Sequence, residues 1–150
     1  MKKLSLFSTL LLVLFAFNAC NRYPEGPKMS FRSKTERISN KWKVASFTEN
    51  GTNILTALAV SSWTLEILSS GSLVQVQQFV LFGQTITNTQ SGTWEFYDKK
   101  TKLIWALNDN GNIQKDTMDI MMLREDEVKL KKVEVSGNKT NVYEMQLIPQ

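Results

Sequence analysis

The chain has no histidine and one cysteine, Cys20, in 150 residues. Without histidine, Ser-His-Asp and Cys-His catalysis are excluded, and so is the commonest zinc ligand. With a lone cysteine there is no disulfide within the chain, so an apolar core must hold the fold. No basic block marks a nucleic-acid partner. No paired carboxylate, nucleophile with its base or phosphate-binding loop stands out, so the expectation is a non-enzyme with no cofactor and no metal. A hydrolase acting through Asp or Glu is the remote alternative. Helix-length periodicity is also missing from the middle of the chain, which argues against parallel βαβ units.

The long apolar stretch lies at the N-terminus. Behind Lys2 and Lys3, residues 4–19 carry no charge. The run is shorter than the roughly 20 apolar residues of a spanning helix, and serines, a threonine and an asparagine interrupt it. It suits a secretory signal better than a permanent anchor. Its end, Phe17-Asn18-Ala19-Cys20, resembles the bacterial lipobox, in which the cysteine is lipidated and the signal is cut just before it. Ala19 and Cys20 fit that pattern, whereas Phe17 and Asn18 depart from it. The bland alternative is an ordinary signal peptide with an incidental cysteine. The expected division is a signal peptide over 1–19, a lipidated tether over 20–37 and a barrel over 38–150. Several acyl chains, palmitate among them, anchor a protein stably where one is marginal. Loss of Lys2 and Lys3 with the signal takes the formal charge from +4 to +2.

Residues 21–37 hold two prolines, a glycine and seven charged residues with no sustained period, which predicts a spacer. From Lys41 the pattern changes to short alternating runs between turn residues. Trp42 and Val44 alternate with lysines. Trp63, Leu65 and Ile67 follow, then Val74 and Val76 with Gln75 and Gln77 on the other face. Trp94 and Phe96 mark the fourth run and residues 102–107 the fifth. Asn110 and Gly111 predict a hairpin, since both tolerate positive φ. Met118, Ile120 and Met122 make the sixth run. Val128 and Leu130 begin the seventh, whose apolar phase slips to Val133 and Val135, predicting a β-bulge near Lys131 and Lys132. Tyr143, Met145 and Leu147 close the chain. Eight short strands joined mainly by hairpins predict an all-β, antiparallel up-and-down barrel, which removes its own edges. A two-sheet sandwich is the rival.

The opening Asn40-Lys41-Trp42-Lys43-Val44 resembles the Gly-x-Trp first strand of lipocalins, with Asn40 in place of the glycine. The wider chain is similar to the lipocalin-like lipoproteins of Bacteroidetes. It shares the lipobox, a Glu-Gly-Pro tether (Glu25 to Pro27), a Lys-Trp-Lys first strand, a Ser-Gly-Thr-Trp strand (Ser91 to Trp94) and a last strand ending near Pro149. The resemblance spans most of residues 23–150. It implies a lipocalin-like barrel and a place in the envelope, and leaves the ligand open. It also implies that Trp42 plugs the closed end of the barrel.

Inward candidates for an apolar ligand are Trp63, Leu65, Val76, Trp94, Phe96, Met118, Ile120, Tyr143 and Met145, each of which equally serves as barrel filling. Residues 52–62 break the strand rhythm. Ile54, Leu55 and Leu58 predict a short helix with Asn53 as its cap, and a lid over the barrel mouth; an irregular loop, or a strand continuing from the first, is the alternative. Residues 83–92 read as a polar loop at the rim. Asp116-Thr117-Met118 resembles the short O-glycosylation motif of Bacteroidetes envelope proteins, although a solvent-facing strand threonine explains it too. Two functions remain open: an anchored carrier or sensor of a small apolar or amphipathic ligand, and an adaptor lipoprotein with a filled barrel that binds an envelope protein. Asn21 after the cysteine, and the lack of an acidic run behind it, point to the outer membrane facing the periplasm.

Overall fold

The computed structural model describes residues 23–26 and 30–150; Cys20 and the expected signal lie outside them. Among the described residues, nine strands follow one short helix: α1 (Lys34–Ile38), β1 (Lys41–Glu49), β2 (Thr52–Asn53), β3 (Val60–Ile67), β4 (Ser72–Leu81), β5 (Gln84–Tyr97), β6 (Lys102–Asp109), β7 (Asn112–Leu123), β8 (Val128–Ser136) and β9 (Lys139–Pro149). All pairings are antiparallel, each long strand pairs with the next, and β9 returns to β1. Eight strands therefore close an up-and-down barrel, and β2 is a two-residue flap paired to the end of β1. Closure gives every long strand a partner on both sides, with β1 meeting β3 only over Lys41 to Lys43.

The turns divide the barrel into two ends. The connections near Ser70, Lys99 and Asp126 share one end with α1. The connections after β1, β4, β6 and β8 lie at the other. Asn110 and Gly111 form the expected hairpin, with φ of 51° and 91°.

The first end is shut by local chemistry. Ser33 and Glu36 form a capping box: the Glu36 amide donates to Ser33 Oγ (3.1 Å), and the Ser33 amide donates to Glu36 Oε2 (2.7 Å). That box sets α1 so that Ile38 is fully buried. Trp42, also fully buried, donates its indole N–H to the Ile38 carbonyl at 2.7 Å. Trp42 thus plugs this end, as the resemblance implied. Above it lie Leu65, Ile67, Leu73, Leu103, Ile120, Leu123, Val128, Leu130 and Leu147, all at most 2 % exposed.

Part of the expected tether joins this closed end. Tyr23 packs against the core and donates its hydroxyl to the Lys100 carbonyl at 2.8 Å. The Glu25 amide donates to the Met121 carbonyl (2.8 Å), and its carboxylate meets Lys129 Nζ at 2.9 Å. Residues 23–26 are therefore a strap on β7 and β8, and α1 is a plug. Burial pushes the Tyr23 phenol up to about 12, against the opposing pull of Arg37.

Three local expectations are corrected. Residues 83–92 are not a loop, because β5 begins at Gln84 and pairs with β4 without a break from Gln84 to Thr93. The β8 bulge is absent: β8 pairs evenly with β9 from Val128 to Ser136, and the irregularity sits in β7 between Ile120 and Met122. Val133 and Val135 consequently face out, at 49 % and 71 % exposure. In β4 the phase is the reverse of the one expected. Leu73 and Gln75 are buried, so Val74 and Val76 lie on the outer face.

Candidate functional site

Along each strand, inward residues change character from the closed end to the mouth. On β4 the inward series is Leu73, Gln75, Gln77; on β7 it ends at Asp116 and Gln114; on β8 it runs Val128, Leu130, Lys132, Glu134. The core fills the lower half, and the upper half holds a cavity of about 370 Å³. Its size falls at the lower end of the range of small-molecule sites.

The cavity has an apolar wall and a polar one. Phe47, Trp63, Trp105, Leu107, Met118 and Met145 supply the apolar part. Phe47 meets Trp63 edge-on with ring centroids 5.4 Å apart, and stacks on Tyr143 at 6.0 Å. These offset contacts fix the aromatic faces. Gln75, Gln77, Gln90 and Gln114 supply neutral polar groups. Gln75 is only 7 % exposed and donates to Gln90 Oε1 at 2.9 Å, a cross-strand pair that satisfies the buried amide with a half-buried one.

The charged lining is Asp116, Lys132 and Glu134. The Lys132 ammonium bridges both carboxylates. Burial pulls the lysine's pKa down, but the hydrogen bonds and charges of Asp116 and Glu134 outweigh it, and the net direction is up. Near the rim, Tyr143 donates to Glu49 Oε1 at 3.1 Å, and the negative carboxylate raises the phenol's pKa. One donor has no partner: the indole nitrogen of Trp63 is buried, lacks an acceptor and belongs to a residue lining the cavity. Such an orphan costs about 1–3 kcal/mol.

Of the nine expected site residues, Trp63, Met118, Tyr143 and Met145 line this cavity. Leu65 and Ile120 lie in the core below it, at 1 % and 2 % exposure. Trp94 and Phe96 pack against each other edge-on, and the Trp94 indole donates to the Leu68 carbonyl near the closed end (2.8 Å). Val76 is on the outer surface. The glutamines and the charged triad escape a reading that takes the apolar phase of each strand as its inner face, and Trp105 escapes because its run is apolar on both faces. Thr117 is exposed on β7. Residues 54–59 form hydrogen-bonded turns, not a helix, at the mouth end: the Leu58 amide donates to Ile54 O (2.9 Å) and Asn53 Oδ1 accepts from Leu55 N (3.1 Å). Leu55 packs down onto the core. Among the described residues, no three acidic or cysteine side chains gather as a metal site, and no helix is long and apolar enough to cross a membrane.

Comparison with known proteins places the fold. No family model matches the chain, and no curated protein matches it in sequence. Solved structures do match. A bovine lipocalin allergen, Bos d 2, is similar at TM-score 0.50 and 12 % identity, over 77 % of this chain and 75 % of that one. A bovine odorant-binding protein solved with its natural ligand is similar at TM-score 0.50 and 9 % identity, over 81 % and 76 %. At such identities the likeness concerns the fold, and the fold is a lipocalin-like barrel.

Proposed function

We propose that this protein is a non-catalytic carrier or sensor of a small amphipathic molecule, held in a bacterial envelope by lipid at Cys20 and facing the periplasm from the outer membrane. The observation that carries the reading is the cavity of about 370 Å³ in the mouth half of an otherwise close-packed barrel. A barrel that served only as a scaffold gains nothing from that space, since filling it with side chains adds stability. The bovine odorant-binding protein, solved with its natural ligand, has the same type of barrel.

The strap supports a defined geometry for the anchor. Cys20 is three residues ahead of Tyr23, which is bonded to the closed end. Three residues reach at most about 10 Å. Lipid at Cys20 then holds the closed end near the bilayer and turns the mouth away from it.

Native mass spectrometry of the full chain, taken from its own envelope with minimal detergent, tests the ligand. A stoichiometric extra mass is expected. A clean mass that persists after incubation with an envelope lipid extract defeats the carrier reading. Cys20→Ala tests the anchor: the variant should leave the membrane fraction, and continued partitioning there defeats lipidation at Cys20.

A second reading has its own support. Val80, Leu81, Phe82 and Ile86 crowd exposed onto the β4–β5 hairpin tip, with Phe82 fully exposed. An apolar tip of this kind fits an adaptor that docks an envelope protein. A clean apoprotein mass favours that reading.

A further inference from the structure

We propose that the cavity selects a compact amphiphile with a cationic nitrogen head and a hydrogen-bond acceptor on its apolar body, and discriminates against carboxylate ligands such as fatty acids. The inference rests on the carrier reading and specifies its ligand class.

Asp116, Lys132 and Glu134 carry two negative charges and one positive, so the site holds one unit of negative charge in excess. Lys132 is engaged by both carboxylates and is not left over for an anion. A ligand carboxylate entering here must displace Asp116 or Glu134 from the lysine and then sit beside the displaced group. An ammonium or guanidinium head meets a carboxylate in excess and displaces nothing. Lys132, Asp116 and Glu134 are partly shielded, at 27 %, 36 % and 46 % exposure, which keeps these interactions stronger than on an open surface. The neutral glutamines around the triad donate and accept without adding charge.

Trp63 is 9 % exposed, its indole N–H has no partner, and it lines the same cavity. The nitrogen is covered in the empty barrel, so a ligand oxygen or ring nitrogen meets it when the ring turns towards the cavity, and that contact removes an unmet donor. An apolar chain with no acceptor leaves that donor orphaned.

The size and shape of the apolar wall favour a short or planar body. Phe47, Trp63 and Trp105 present rings, and Met118 and Met145 adapt around them.

Isothermal titration of the full chain in lipid nanodiscs, against empty nanodiscs, tests the class. The probes are three 6-methoxynaphthalenes that differ only in the side-chain head: ethylamine, ethanol and acetate. The expected order is amine, alcohol, acetate, with the amine at least about tenfold tighter than the acetate. Asp116→Asn with Glu134→Gln should abolish that preference. Trp63→Phe should keep the amine preference and lose the advantage, several-fold, of the methoxy probes over their unsubstituted counterparts. Circular dichroism verifies that each variant is folded. Acetate binding as well as or better than amine overturns the ligand class and leaves the carrier reading standing. Binding of none of the probes, together with a clean native mass, defeats both.

Discussion

Lys132 sits inside the barrel only if β8 runs without a bulge, so its replacement probes both the fold and the site. Lys132→Met keeps the length of the side chain and removes every donor. Asp116 and Glu134 then face the same cavity with no cation between them. Exposed ion pairs contribute about 0.2–1 kcal/mol, and breaking a buried one costs about 3–5 kcal/mol. The Lys132 side chain is 27 % exposed and its partners 36 % and 46 %, so the effect belongs between those limits, at about 1–2 kcal/mol. For a domain of this size that lowers Tm by roughly 5 °C. Thermal melts at pH 7 measure it, with Val133→Ser as control. Val133 is half exposed and its replacement should stay within about 0.5 kcal/mol. The pH dependence gives a second readout. The folded-state pKa of Lys132 lies above its ordinary 10.5, so its contribution is complete below that value and fades as pH rises through the folded value. The gap between wild type and Lys132→Met should be constant near neutrality and close at high alkalinity. A neutral Lys132→Met alongside a Val133→Ser that costs more than 1 kcal/mol refutes this phase of β8 and puts the valines inside.

Gly92→Ala should destabilise by about 3 kcal/mol in urea unfolding, because its Cβ falls 1.9 Å from the Ala106 carbonyl oxygen and forces β5 from β6; unchanged stability contradicts that close approach. Tyr23 has a folded pKa of about 12 against 10.0 unfolded, so the neutral phenol's contribution is whole below pH 10 and lost as pH rises towards 12. Alkaline titration should therefore release the strap, and Tyr23→Phe should remove that step; an identical alkaline profile in the variant refutes the assignment. Amides of residues 54–59 should exchange faster than those of β3 and β4 in the free protein and slow when a ligand occupies the cavity, since their turns cross the mouth end. Protection equal to the strands, unmoved by ligand, removes the lid.

Turn chemistry made the strand count legible. Asn110 with Gly111 marks a hairpin between two strand runs, and eight such runs close as eight strands. Trp42 was legible as inward-facing because its neighbours on both sides are charged lysines that cannot share its face, and its place as the plug came from the resemblance to the lipocalin first strand. Two things were hidden. The glycine of Ser91-Gly92-Thr93-Trp94 looks like a motif in the sequence, and only the register explains it: Gly92 lies opposite Leu107 where two backbones come too close for a Cβ. The phases of β4 and β8 were hidden for a different reason. Alternation reports two faces without saying which is inner, and assigning the apolar one inward presumes a dry interior. Val74 and Val76 against Gln75 and Gln77 fit either phase, and Leu73, one step earlier, carries the correct one. The lysine and glutamate of β8 mislead in the same way. Even pairing to β9 puts Lys132 and Glu134 inside, where the cavity and the Asp116 partnership accept them.

The errors of phase fall in the mouth half because that half is not built by burial. Below, Trp42, Leu65, Leu103, Leu123, Val128 and Leu147 are nearly or wholly excluded from water, and each full burial contributes about 1.5–3 kcal/mol. Above, the same strands carry glutamines, a charged triad and an orphaned indole N–H, each of which stabilises the empty barrel weakly or costs it something. Closure by β1 and β9 and the α1 plug lets the lower half hold the strands in register while the upper half carries that burden. It follows that the two halves can be changed separately. Substitutions at Gln77 or Gln114 should alter what the cavity accepts and shift stability little, because they share no partners with the closed-end core and their effects add to those of core variants. Substitutions at Leu65 or Leu147 should lower stability and leave the relative preference among ligands intact. A mouth variant that melted the closed end as strongly as a core variant would mean that the barrel is one packed unit, with its cavity a local imperfection instead of a site.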